Sequence, residues 1–415
     1  MSGPWSQPTP GIGPPVQPTP ATGPWIQPAA ATGPWGQTPQ GPGQSPPPGM
    51  TTGLQTPQYQ HAAPGIPPGR QHPIWFQPRS ALWWVYCLVC LGGLIALVIQ
   101  LLPVAVITWS GILVGLPFTI VTLLVIATLI LWLDLFRAHV RIARVLAMGF
   151  VWGAAGGTGI AMFANDNITR VIQNLAGDRF AVDWQAPISA AIVEEGIKGL
   201  GVFTVAWLAR PLLTRPMHGL LLGGFTGLGF QVVEDVTYSA NAGLLSAQGD
   251  IASALLVGVL RLFTGFVSHW MLTGIAGIGI VTALGAPGWS RARRLGTFAV
   301  FYLLGAAMHF GWDAPMPGDS GLGSTALRSL IYIVIFIVVY LWVVRSEQRW
   351  FRGAVDWVVA QRIAPPYELN TLISRRERRR ARRAQRVPHR IARLRRHELL
   401  DWVQTVDAHR TGGSV

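Results

Sequence analysis

The amino-acid sequence predicts an all-α protein: a polytopic transmembrane helical bundle of about eight spans, with a disordered N-terminal region and a basic C-terminal cytoplasmic tail. Three observations predict it. Half of the 415 residues are hydrophobic and only 12% are charged, against about 25% in a soluble domain. Mean hydropathy is +0.38, and apolar runs of about 20 residues, the length that crosses a bilayer, recur through the middle of the chain. Charge is also partitioned. Residues 1–69 carry none, whereas residues 345–415 hold 17 Arg against 7 acids, most of the net +14. The chain therefore divides into residues 1–80, 81–345 and 346–415. A soluble globular enzyme is disfavoured. Two cysteines exclude a disulfide framework or a cysteine-ligated zinc site. Cys87 and Cys90 lie in an apolar run, which makes them packing residues.

The first segment repeats every ten residues, through Gly3-Pro4-Trp5, Gly13-Pro14-Pro15, Gly23-Pro24-Trp25 and Gly33-Pro34-Trp35, each followed by Gln. It holds 21 of the 32 prolines. Proline removes backbone donors and aliphatic residues are few, so no core forms and an extended, partly polyproline II chain is expected. It lacks the charged start and apolar stretch of a signal peptide. Its roles would be a tether or a ligand for a Pro-recognising partner.

Span candidates lie near 81–102, 112–134, 145–165, 186–209, 219–240, 258–285, 297–315 and 326–345. The sixth is interrupted by Arg261. Arg137, Arg141 and Arg144 follow the second, Arg210 and Arg215 the fourth, and Arg291, Arg293 and Arg294 the sixth. The positive-inside rule then puts both termini in the cytoplasm. Arginine supplies 31 of 32 basic residues, a usage associated with high-GC bacterial coding, so the expected location is a bacterial plasma membrane.

Charges inside the hydrocarbon cost at least about 2.5–3.5 kcal/mol each and need a reason. The fourth candidate span contains Glu194, Glu195 and Lys198, the fifth Glu234 and Asp235, the sixth His269, and the seventh His309 and Asp313. Gly219, Gly223 and Gly227 form a ridge that Glu234 continues, so Glu234 should face a neighbouring helix. Gly305, His309 and Asp313 share a face, as do Gly265 with His269 and Ala191 with Glu194 and Lys198. Glu194 and Glu195 point about 100° apart on an α-helix, so one should enter a site while the other braces it. Lys198 can compensate either.

These residue types allow water activation: a buried carboxylate as general base, with or without zinc held by histidines and carboxylates. No GxSxG or HExxH is present, so a serine or zincin mechanism has no support. The competing class is an ion- or proton-coupled transporter using the same buried cluster. A scaffold would leave the buried carboxylates unexplained.

Glu194-Glu195-x-x-Lys198, Phe230-x-x-x-Glu234-Asp235, His269 and His309-x-x-x-Asp313 resemble, in order, the motifs of the PrsW family of intramembrane proteases, which is similar to the wider group of CAAX prenyl proteases and Abi proteins. The resemblance covers roughly residues 81–345. It implies hydrolysis of membrane-embedded proteins, of the site-1 type that acts on an anti-sigma factor. By it, Glu194, Glu195, His269 and His309 match catalytic positions. Lys198, Asp235 and Asp313 would support them, and Glu234, His269 and His309 would be the metal ligands. Asp235 stands where many members have Asn. Lys198 and Glu234 depart from the CAAX pattern, which disfavours prenyl-protein processing.

Residues 371–400 hold 12 Arg interspersed with Leu372, Ile373, Ile391 and Leu394, and Pro388 breaks any helix there. Anionic lipid headgroups are the expected partner, at about 1 kcal/mol per Arg. A specific nucleic acid is not expected.

Overall fold

The computed structural model describes residues 76–245, 250–316, 321–360, 366–385 and 388–412. The proline-rich repeat, through residue 75, lies outside the described residues. Among the described residues every regular element is helical. The helices are α1 (Ala81–Ile107), α2 (Trp109–Leu133), α3 (His139–Val151), α4 (Thr158–Ala176), α5 (Asp178–Ser189), α6 (Glu195–Leu208), α7 (Pro216–Leu245), α8 (Asp250–Thr264), α9 (His269–Gly285), α10 (Arg291–Asp313), α11 (Leu322–Ala360), α12 (Pro366–Ile373), α13 (Arg375–Gln385) and α14 (His389–Gly412). Turns of π-helix, Trp152–Gly157 and Ala190–Glu194, join α3 to α4 and α5 to α6.

Among the described residues, six helical stretches are long and apolar enough to cross a membrane: Ala81–Ile107, Trp109–Leu133, His139–Ala176, Ile251–Gly285, Arg291–Asp313 and Leu322–Ala360. The protein is thus a multi-pass membrane protein. The other two expected stretches, 186–209 and 219–240, are also helical. The first carries Glu194, Glu195 and Lys198 and the second Glu234 and Asp235, and α7 is enclosed along most of its length.

α7 is the hub, packed against α2, α3, α8 and α9. The glycine ridge explains its closest approach. A Cβ added at Gly219, Gly223 or Gly227 would overlap the backbone of Gly277, Thr273 or His269 on α9. Gly153 of the first π turn serves the same purpose. A Cβ at Gly153 would strike Thr226 O, so this turn lies directly on α7. Trp152 Nε1 then donates to Ile197 O at 3.0 Å, tying the turn to α6.

The sixth expected span is not one continuous helix. α8 ends at Thr264, a single 3₁₀ turn covers Gly265–Val267, and Ser268 is extended (φ −111°, ψ −158°). Gln231 Nε2 donates to Gly265 O at 3.1 Å, satisfying a carbonyl that the break releases. The expected helical alignment of Gly265 with His269 is therefore absent: His269 opens a new helix. Irregular backbone at membrane depth is tolerated where protein or a cavity surrounds it.

α11 does not stop near residue 345 but runs on to Ala360. Its end builds a second apolar core with α12 and α14, in which Phe351, Val355, Val358, Leu369, Leu372, Leu400 and Val403 enclose Phe136 from the α2–α3 turn. Arg137 in that turn adopts φ +60°, a conformation that costs a non-glycine residue roughly 1–2 kcal/mol. Asp401 of α14 grips its guanidinium through two hydrogen bonds, 2.7 and 3.0 Å. Nearby, buried Arg215 reaches Glu347 at 3.1 Å and Gln404 Oε1 at 2.8 Å. A break does occur by Pro388, between α13 and α14.

Candidate active site

The expected residues converge. Glu194 closes the second π turn and Glu195 opens α6. Turns of π-helix inside α-helices are frequent at functional sites because the extra residue re-aims side chains. Here the two carboxylates take different surroundings, as their helical phase requires. Glu195 is 1% exposed and fully engaged. Lys198 Nζ lies 2.7 Å from its Oε1, His309 Nδ1 2.9 Å from the same oxygen, and Thr273 Oγ1 donates to Oε2 at 3.3 Å. Glu194 instead lines a cavity of about 300 Å³. Its Oε1 accepts from Asn165 Nδ2 at 3.1 Å. Its Oε2 is buried without a hydrogen bond, 3.6 Å from Lys198 Nζ. Glu195 is the brace and Glu194 the group presented.

His309 lies between them. A carboxylate only accepts, so the proton it shares with Glu195 belongs to Nδ1. Nε2 then turns its lone pair toward the cavity, 3.8 Å from Glu194 Oε2 and 3.9 Å from Asp313 Oδ2. Glu195, rather than Asp313, makes the hydrogen bond that orients His309. Asp313 lines the cavity and is the more exposed carboxylate, at 30%.

His269, first residue of α9, faces His309 with ring centroids 4.9 Å apart. Lys198 Nζ lies 2.9 Å from its Nδ1, and its Nε2 lies 2.7 Å from Glu234 Oε2. Lys198 thus joins Glu195 to His269, and its ammonium sits 4.4 Å from the Phe230 ring centre. That contact gives the Phe of the second motif a physical role. Glu234 lines the cavity. Asp235, one residue on, points away from it, with Oδ1 2.5 Å from Arg261 Nε.

Three side chains outside the motif series complete the site. Arg261 of α8 holds Glu234 at 2.8 Å as well as Asp235, and lines the cavity. Its only sign in the sequence is a charge interrupting an apolar run. Asn165 of α4 fixes Glu194 and is itself fixed by Ser189 Oγ at 2.5 Å. Thr273 of α9 supports Glu195.

Oxygen or nitrogen atoms of Glu194, His269 and His309 lie within 4.8 Å of one another, and all three residues are buried. One carboxylate and two imidazoles are a donor set suited to a divalent metal. The unbonded Glu194 Oε2 and the His309 Nε2 lone pair fit one directly. His269 fits by exchanging its contact with Glu234 or Lys198. Relative to the expected set, Glu194 takes the place of Glu234, which stands behind His269.

A family model described as PrsW family intramembrane metalloprotease matches residues 142–343. That segment belongs to the PrsW family. It contains every site residue named above. No significant match was found among curated proteins or solved structures. The match supports a membrane-protease function for this segment, and favours that reading over the ion-coupled carrier. The PrsW-type metal chemistry accords with the Glu/His/His grouping.

Proposed function

We propose that the protein cleaves a membrane-embedded protein substrate whose chain unwinds locally in the cavity beside Glu194. A peptide bond within a helix is shielded by its own hydrogen-bond ladder, so unwinding must come first. The observation that carries this reading is the buried Glu194 Oε2, without a hydrogen bond, facing a polar cavity.

Glu194 takes a proton from water as the water oxygen bonds to the substrate carbonyl carbon. The same proton then passes to the amide nitrogen as the C–N bond breaks. Arg261, and His269 through its Nε2, are cationic or polar donors in the cavity that can face the carbonyl oxygen as it gains charge. His309, held by Glu195, presents an acceptor that orients the water.

Glu194, His269 and His309 would hold a divalent ion such as zinc, which when bound supplies Lewis acidity to a carbonyl and to water. With these three engaged, Asp313 is the carboxylate left open in the cavity. The substrate class we favour is a single-span regulatory protein cut in a site-1 manner, as for an anti-sigma factor, in a bacterial plasma membrane with both termini cytoplasmic.

The test maps new protein N-termini in cells expressing the wild type or Glu194→Gln. N-termini within or beside single spanning segments should vanish in the variant. Metal content of the purified protein should fall in Glu194→Gln and His309→Ala together. An unchanged set of N-termini at equal abundance would sink the proposal.

A further inference from the structure

The family match ends at residue 343, and the helices beyond it carry charge that the fold itself does not consume. Several arginines at this end of the molecule are structural. Arg137 is held by Asp401. Arg141 Nη1 donates to Gln404 O at 2.7 Å. Arg378 donates to the carbonyls of Thr371 and Leu372, closing α12. Others are not used in this way. Arg376, Arg379, Arg380 and Arg383 of α13 are exposed and fall at i, i+3, i+4 and i+7, one stripe of the helix. Arg390 and Arg393 repeat the pattern at the start of α14, beside Leu394, which is 55% exposed. Among the described residues the one acidic partner on the stripe is Glu377, 3.6 Å from Arg380.

Position selects the counter-charge. Leu372 is buried in the same small core as Phe136, three residues beyond the end of α2, which is itself long and apolar enough to span. α13 begins three residues after Leu372, so the stripe starts within roughly 10 Å of that core. The Debye length at physiological salt is about 8 Å. Four like charges held on one face that close to the bilayer meet lipid phosphate before any other polyanion.

We propose that the arginine stripe of α13, extended by the first turn of α14, is a docking face for anionic phospholipid headgroups. It does not depend on the protease reading. The small core and the Arg137–Asp401 clamp hold this face beside the membrane, and lipid phosphate supplies the negative charge it lacks.

The experiment measures amide hydrogen exchange in the full-length protein, reconstituted in nanodiscs of phosphatidylcholine alone or with about one-third phosphatidylglycerol. The α13 amides should exchange roughly tenfold more slowly with phosphatidylglycerol. The difference should collapse in about 0.5 M NaCl, where screening is short-ranged. The variant Arg376→Gln, Arg379→Gln, Arg380→Gln, Arg383→Gln should lose the slowing while α14 amides near Asp401 exchange as in the wild type, which shows that the domain remains folded. Exchange indifferent to lipid charge would overturn the proposal. So would slowing by a short duplex oligonucleotide on phosphatidylcholine discs that exceeds the lipid effect.

Discussion

Replacing each of the adjacent glutamates by glutamine separates chemistry from architecture. Glu195 is 1% exposed and has three partners, Lys198 at 2.7 Å, His309 at 2.9 Å and Thr273 at 3.3 Å. Removing one charge from a buried pair typically costs 3–5 kcal/mol. Glutamine keeps the shape and one acceptor, and Lys198 retains Glu194 at 3.6 Å, so Glu195→Gln should lose about 3 kcal/mol. Glu194→Gln leaves the Lys198–Glu195 pair intact and still offers Asn165 an acceptor. Its stability should change by no more than about 1 kcal/mol. Activity orders the two differently. Losing a general base lowers the rate by roughly 10²–10⁴, or about 3–5 kcal/mol of barrier. The assay is thermal unfolding of both variants in one detergent, set beside cleavage of a substrate found by N-terminus mapping. Cleavage by Glu194→Gln at the wild-type rate would refute its role as base. Unfolding of Glu195→Gln at the wild-type temperature would refute its role as brace.

Arg261→Gln removes the cation that holds both Glu234 and Asp235; activity should drop at least tenfold, with Lys restoring part of it, as read by the same cleavage assay. Gly223→Val drives a side chain into the Thr273 backbone and should cost about 1–3 kcal/mol or more, seen as a lower unfolding temperature in detergent. His397 on α14 has its pKa lowered by burial and by the nearby Arg137 and Arg396 charges. Below about pH 6.5 the undocked tail therefore binds the proton more readily, so docking weakens as pH falls through the folded value. Proteolysis between residues 361 and 400 should accelerate in mild acid, and His397→Gln should flatten that response.

Much of the fold was legible because membrane insertion imposes long apolar runs, and among the described residues six helices have spanning length and composition. The site was legible for a related reason: charge is so costly in hydrocarbon that Glu194, Lys198, Glu234 and His309 stand out. The ridge of Gly219, Gly223 and Gly227 likewise identified the face that meets α9. Less visible was anything that depends on a partner far along the chain. The break before His269 has no proline to announce it; it is held by Gln231, 34 residues upstream of Gly265. Asn165 reads as the polar end of an apolar run until α6 is set against it. Glu194 and Lys198 do meet at helical spacing, 3.6 Å apart, but the π turn at Ala190–Glu194 has no sign in the sequence. The tail reads as a charge run, and its second core appears only when Phe136 and Leu400 are brought together.

The glycine contact between α7 and α9 has a mechanical meaning as well. Backbone lies against backbone there with no intervening side chain to swivel, so the two helices can neither slide nor rock without collision. That stiff wall carries Glu234 and His269. The opposite wall is built differently. α5 is a twelve-residue helix whose side chains are mostly exposed or half-buried, resting on α4 and α10. Compliance is therefore unevenly divided around the cavity. Glu234 and His269 are mounted on a rigid rail, and the give that a bulky polypeptide guest demands resides in the α5 side.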